Sequence, residues 1–184
     1  MKKYKINVKR KDIIDIFLYF HNKKAESYIK LLAKNYNKKE CKILELGSGT
    51  KSMKKYFPYA KFIATDIIKS EYADEIADIK NLKYKDNQFD LVLCCNVLEH
   101  IDLPAKAISE CYRTLKKNGC FFIVTPFLFP VHDPPQDYFR YTEFAYKNLL
   151  NRFNKIIIDK ILIFPFRFSL FNRLVLYYVV RSFK

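Results

Sequence analysis

The sequence predicts an α/β fold, a doubly wound and mostly parallel sheet with helices on both faces. Three observations carry that prediction. Apolar runs of strand length alternate with helix-spaced segments from residue 42 onward. Two of those runs, FDLVLCC (89–95) and CFFIVTP (120–126), are apolar without alternation, as strands buried on both faces are. Gly47 and Gly49, two of the chain's three glycines, follow the first run in LELGSGTK. In an open α/β sheet, ligands bind beyond the carboxyl ends of the strands, where this loop falls.

The elements follow in order. Residues 12–20 (DIIDIFLYF) and 24–36 (KAESYIKLLAKNY) have mixed helical spacing, and in the second Tyr28, Leu31, Leu32 and Tyr36 share a face. KILEL (42–46) is a strand, followed by the glycine loop and a short helix to Phe57. KFIATDI (61–67) and FDLVLCC are the next strands. LPAKAISECYRTLKK (103–117) is an amphipathic helix that Asp102 can cap, with Ile108, Cys111, Tyr112 and Leu115 on one face. Gly119 ends the turn into CFFIVTP, and Thr142 can cap a helix over TEFAYKNLLNRF (142–153). KIIIDKILIF (155–164) and LVLYYVV (174–180) are late strands. One domain is expected, with a helical N-terminal extension (1–40), a core (41–164) and a basic apolar tail (165–184).

The chain has 184 residues, enough for one substantial core. A hydrophobic content of 50% and an aromatic content of 17% favour folding over disorder. No apolar run reaches the ~18 residues of a membrane-spanning helix, and no apolar signal core follows the charged start MKKYKINVKRKD. The five cysteines are odd in number and form no C-x-x-C pair, which reads as reduced core thiols in a cytoplasmic protein. The three histidines are far apart in sequence without zinc-ligand spacing, so no metal is expected. The net charge of +15 is uneven. Residues 1–40 carry 12 Lys/Arg against 4 Asp/Glu, residues 41–140 carry 14 against 13, and residues 141–184 carry 8 against 2. The basic flanks either meet an anionic partner or reflect a lysine-biased composition. Lysine outnumbers arginine 27 to 7, which weighs against specific base readout.

The glycine loop poses the functional question. A P-loop requires G-x-x-x-x-G-K-[ST], which is absent. A dinucleotide loop requires G-x-G-x-x-G, and Ser52 holds the third position. Gly47 and Gly49 still allow a tight turn and close approach to the backbone. Asp66 stands 19 residues after Gly47 at a strand end, where an acidic side chain can accept both ribose hydroxyls. The pattern indicates a nucleoside cofactor with no sign of a pyrophosphate, so NAD and ATP should bind weakly.

Four segments in order, ILELGSGTK, IATDI, ADIKNLKYKDNQFDLVLCCNVLEHI and RTLKKNGCFFIVTP, resemble the class I S-adenosylmethionine-dependent methyltransferases over residues 40–150. The remaining glycine, Gly119, matches the family's turn into its fifth strand. The resemblance implies a Rossmann-like sheet with late antiparallel strands, S-adenosylmethionine as cofactor and S-adenosylhomocysteine as product. It implies that Glu45, Gly47, Ser48 and Gly49 back the methionyl part, that Asp66 holds the ribose, and that Ile67 packs on adenine. Asp78 and Ile79 match the pair that meets the adenine amino group and face, and Asn96 matches a position facing the methionyl end. Glu99 and His100 belong to the LEH that commonly follows; they either cap the next helix or line the site. The chain departs from the family pattern at Lys51, where a further glycine is common, and at KKNG, which replaces KPGG in a turn.

The methyl of such a cofactor is already activated, so the protein mainly aligns the acceptor. A base is needed only where the acceptor loses a proton. PFLFPVHDPPQDYFRYT (126–142) gathers polar groups between prolines after the fifth strand and is similar to loops of methyltransferases in glycan and cell-surface polysaccharide synthesis. His132 is the candidate general base, oriented by a neighbouring acid, and Arg140 a candidate clamp for an anionic acceptor. Asp133 and Tyr138 join them as acceptor-site candidates. The competing reading is a loop held by its own Asp137–Arg140 ion pair, with Tyr138 and Tyr141 as core plugs. The tail reads as the last two strands of the sheet or as an interfacial segment with Arg167, Arg173 and Arg181 at anionic lipid headgroups. The expected partner is a small-molecule or glycan acceptor, lipid-linked in one version, with weak peripheral membrane contact and no specific nucleic acid. An RNA methyltransferase and a non-catalytic cofactor-binding protein are the alternatives.

Overall fold

The apolar strands each need two covered faces, and the computed structural model supplies both. It describes residues 26–163 and 175–184, with backbone alone for 160–163 and 175–179. The proposed helix at 12–20 and the tail residues Arg167 and Arg173 lie outside the described residues.

Helix α1 is described over residues 26–36. Then come β1 (Lys42–Leu46), β2 (Lys61–Asp66), β3 (Glu75–Ile76), β4 (Phe89–Cys95), α2 (Pro104–Thr114), β5 (Leu115–Pro126), α3 (Glu143–Leu149), β6 (Lys155–Ile163) and β7 (Val175–Phe183). The sheet order is β3-β2-β1-β4-β5-β7-β6. β1 pairs parallel with β2 and β4, and β4 pairs parallel with β5. β7 lies antiparallel between β5 and β6. The sheet is therefore Rossmann-like, parallel through its centre with late antiparallel strands. Strand order reverses between β1 and β4, the switch point at which such sheets open a crevice.

Alternation along each strand sorts the core into two layers. Ile43, Leu91, Leu93, Phe122 and Val124 pack with Phe57 and with Ile29 and Leu32 of α1. Leu44, Leu46, Val92, Cys94, Phe121 and Ile123 pack with Ile108 and Cys111 of α2 and with Tyr146 and Leu150 near α3. Cys41, Cys94, Cys111 and Cys120 are buried free thiols, and Cys95 is half-buried.

The structure revises several local expectations. The short helix after the glycine loop is a single 3-10 turn, Met53–Tyr56, with Ser52 as its cap. Asp102 does not cap α2; Leu103 occupies that position without a side-chain hydrogen bond, and Asp102 instead accepts from Lys80 at 2.8 Å. α2 stops at Thr114, because Leu115 turns extended to pair with Phe89. Gly119 lies within β5, where its carbonyl accepts from the Lys184 N–H. Thr142 caps α3 as expected, accepting from the Ala145 N–H at 3.1 Å, but α3 ends at Leu149. β3 is an unanticipated two-residue strand whose side chains are both exposed, so it leaves no apolar pattern.

Candidate functional site

A cavity of about 440 Å³ opens at the switch point. Leu46 closes β1 into it, Cys95 closes β4 and Pro126 closes β5. One end is the glycine loop; the other is formed by Glu99, His100, His132 and Asp133.

Glu45 builds the loop from below. It is 5% exposed, accepting the Ser52 hydroxyl at 2.5 Å and the Met53 N–H at 2.9 Å. Burial nevertheless raises its carboxyl above the ordinary range. The Ser48 N–H donates to the Thr65 carbonyl and the Thr65 hydroxyl donates to the Glu45 carbonyl, which ties the loop to β2. Gly47 has φ +70°, and a Cβ there would meet Val97 Cγ2 at 2.2 Å. Gly49 has φ +54°, and a Cβ there would meet nothing within 4 Å, so its Cα faces open space. The Ser48 hydroxyl is buried without a protein partner. A bare glycine edge and an orphaned hydroxyl beside it form the kind of cradle that a ligand's polar groups complete.

Asp66, Ile67, Asp78 and Ile79, the residues expected on the adenosine side, are not among those that line the cavity. Asp66 accepts the Gly49 N–H at 2.8 Å through one oxygen and the Ile68 N–H at 3.1 Å through the other. Ile67 beside it is 62% exposed, an apolar side chain left uncovered next to the loop. Asp78 caps its own turn by accepting the Lys80 N–H, and Ile79 is buried in the core layer that contains α2. Asn96 lines the cavity in a left-handed conformation, φ +55°.

The 126–142 loop is tied to the Leu98–His100 turn. The Glu99 carbonyl accepts the N–H groups of Tyr138 and Phe139, and the Tyr141 hydroxyl donates to the Leu98 carbonyl at 2.9 Å. These bonds bring His132 beside His100, with ring centroids 4.8 Å apart. Asp137 accepts the His132 N–H at 2.9 Å, and its Oδ2 lies 3.2 Å from His132 Nδ1. Arg140 donates to both Asp137 oxygens, at 2.5 and 2.8 Å, and holds the Asp137 carboxyl well below its usual range. Arg140 also reaches the carbonyls of Phe139, Phe129 and Pro130. The ion pair expected of a self-supporting loop is thus present. Tyr141 is a core plug, but Tyr138 is 49% exposed, so it plugs nothing.

Glu99 is the least expected group. Its side chain is fully buried, and neither carboxylate oxygen has a hydrogen-bond partner. Burial pushes its carboxyl up to about 8. Sequence reasoning passed over several other lining residues. Glu26 brings helix α1 to the lining and Tyr56 brings the Met53–Tyr56 turn, while Phe129 packs edge-on to His132 at 5.1 Å. Their only sequence signal was an aromatic or acid among many. Glu99, so raised, is largely protonated near neutral pH, but the lining also carries Glu26, Glu45 and Asp133 against a single lysine, Lys51, a balance that favours a cationic ligand.

Comparison with known proteins shows what this arrangement is similar to. Residues 44–123 match the family model described as "Methyltransferase domain". An uncharacterized protein of Methanocaldococcus jannaschii is 34% identical over 119 residues, covering 60% of this chain and 52% of that protein. The chain thus spans about half the length of that curated relative. A solved structure of a methyltransferase candidate from Bacillus halodurans shares the fold with TM-score 0.65 at 14% identity, over 86% of this chain and 97% of that one. A SAM-dependent methyltransferase from Archaeoglobus fulgidus does so with TM-score 0.61 at 17% identity, over 90% and 99%. Residues 44–123 are thus similar to the methyltransferase domain family, and the chain shares its fold with solved structures that include an S-adenosylmethionine-dependent methyltransferase.

Proposed function

We propose that the protein transfers a methyl group from S-adenosylmethionine to a small-molecule or glycan acceptor. The observation that supports this best is the continuous cavity joining the Gly47–Gly49 cradle to the His132 loop. Gly47, Ser48, Gly49 and Asn96 would hold the methionyl part, with Glu45 keeping the loop in shape. Asp66 and Ile67 would meet the ribose and adenine, with Asp78 and Ile79 bounding the adenine end. When bound, the cofactor supplies a methyl group on a positively charged sulfonium, which suits the acidic lining.

The acceptor would enter at the opposite end, between Glu99, His100, His132 and Asp133. His132 is the candidate base. An Nδ1–H donated to the Pro130 carbonyl, with the Asp137 carboxylate 3.2 Å away, leaves Nε2 as the acceptor for a hydroxyl proton. Arg140 is engaged by Asp137 and by loop carbonyls, so it contributes by holding the loop that presents His132. Tyr138 is exposed at the rim of that loop, available to a bulky acceptor.

Calorimetry with S-adenosylmethionine, S-adenosylhomocysteine, NAD and ATP tests the cofactor assignment. The first two should bind and the last two should not compete at comparable concentration. Displacement of S-adenosylhomocysteine by NAD, or no binding of either sulfur compound, would overturn it. For the acceptor half, His132→Ala should lower turnover about 10²–10⁴-fold while leaving cofactor affinity nearly intact.

A further inference from the structure

We propose that Glu99, His100 and His132 form a binding site for one divalent first-row transition-metal ion at the acceptor end of the cavity. The ligand atoms of these three residues lie within 4.8 Å of one another. Metal bonds of about 2.0–2.2 Å to nitrogen and oxygen place neighbouring ligand atoms about 3–3.5 Å apart. Side-chain movements of about 1 Å therefore close the set.

Two further observations point to a cation. The first is Glu99 itself, fully buried, facing the cavity, with both oxygens lacking any hydrogen-bond partner. A buried carboxylate is costly unless it is paired or coordinates a metal. His100 Nε2 lies 4.0 Å from one of its oxygens.

The second is the way both imidazoles are held. His100 Nδ1 lies 2.7 Å from the Gln136 carbonyl, so it donates and leaves the Nε2 lone pair toward Glu99. His132 Nδ1 lies 3.2 Å from Asp137 Oδ2 and 3.3 Å from the Pro130 carbonyl, so it donates as well and leaves Nε2 open. Metal-ligating histidines are characteristically oriented this way, with the far nitrogen donating to a carboxylate or a carbonyl. Arg140 in turn fixes Asp137.

Two imidazoles and one carboxylate select Zn²⁺, Mn²⁺, Fe²⁺ or Co²⁺ over the all-oxygen preference of Mg²⁺ and Ca²⁺. Three protein ligands on the wall of an open cavity leave coordination positions for an acceptor oxygen. This is a different use of His132 from proton acceptance, because the ion takes the Nε2 lone pair. The binding site itself stands independently of methyl transfer.

The test is a titration of the tag-free full chain with Mn²⁺, followed by loss of the free-ion electron paramagnetic resonance signal, and a parallel Co²⁺ titration followed by optical absorption. One ion per chain is expected. Glu99→Gln, which preserves shape, and His132→Ala should each weaken binding by at least about tenfold, and Asp137→Asn by about tenfold. Thermal melting checks that each variant folds; should His132→Ala fail to fold, Glu99→Gln decides. Absence of Mn²⁺ and Co²⁺ binding up to about millimolar concentration, or binding that Glu99→Gln leaves undiminished, would overturn the site and leave His132 as a base alone. Cofactor affinity measured on the same samples separates this result from failure of the methyl-transfer reading.

Discussion

Gly47 and Gly49 are both in the left-handed region, yet they do different jobs. A methyl at Gly47 would collide with Val97 inside the protein, whereas a methyl at Gly49 would enter open space in the cradle. Gly47→Ala should therefore cost about 3 kcal/mol of stability, from left-handed strain plus overpacking. Gly49→Ala should cost only about 1 kcal/mol, the left-handed penalty alone. It should nonetheless weaken S-adenosylhomocysteine binding about tenfold, since a methyl forced into an occupied cradle costs about 1–3 kcal/mol. Urea denaturation and calorimetry on the two variants separate the effects, and equal losses of stability would contradict the geometry. Asp66→Ala removes the acceptor of the Gly49 N–H as well as the proposed ribose contact. Its loss of cofactor affinity should be on the order of 1.5–3 kcal/mol, as for hydrogen bonds to charged groups.

At the scale of elements, α2 holds the segment that leads into β4. Arg113 near its end donates to both oxygens of Glu110, to the carbonyls of Leu82 and Tyr84, and to Asp86. Glu110 also accepts the Leu82 N–H at 2.9 Å. Arg113→Ala would leave two carbonyls without their donor and should destabilise the protein by about 2 kcal/mol. The same cluster sets a pH dependence. Arg113 lowers the Glu110 carboxyl below its ordinary value of 4.5. A group lowered on folding stabilises above its unfolded value and loses that contribution as pH falls through the folded one. Stability should therefore drop on acidification below about pH 4.5, and the Glu110→Gln variant should show a shallower drop in melting temperature over that range.

At the scale of the molecule, β7 joins β6 to the parallel part of the sheet. Val180 is fully buried and pairs with Ile123 on one side and Ile158 on the other. Val180→Ala should lower stability by about 2 kcal/mol, near the lower end for truncating a buried aliphatic side chain. The charge of +15 is concentrated toward the two ends of the chain, while residues 41–140 are nearly balanced. Contact with anionic vesicles or mixed RNA should accordingly be non-specific and fall steeply with salt. Tight retention of one RNA near physiological salt against excess competitor would favour the RNA methyltransferase reading instead.

Much of the fold was legible in the sequence, because strands buried on two faces write continuous apolar runs such as FDLVLCC, and a ligand loop between strands writes glycines. Gly47 and Gly49 were readable by their local position after a strand and Glu45, Ser48 and Asn96 only through the family resemblance, and the structure places all five on one cavity. Elements whose bounds depend on distant partners were not readable. The end of α2 at Thr114 follows from Leu115 pairing with Phe89, and β3 exists only because Thr65 and Asp66 lie beside it. The histidines show the limit most clearly. His100 and His132 are 32 positions apart in a chain with no metal-ligand spacing, so the sequence by itself determined their presence but not their relation. Only the tertiary structure brought them together with Glu99, through the backbone bonds from Tyr138 and Phe139 to the Glu99 carbonyl. Those bonds form between segments that local pattern treats as unrelated, and whether a carboxyl is buried without a partner is decided by everything packed around it.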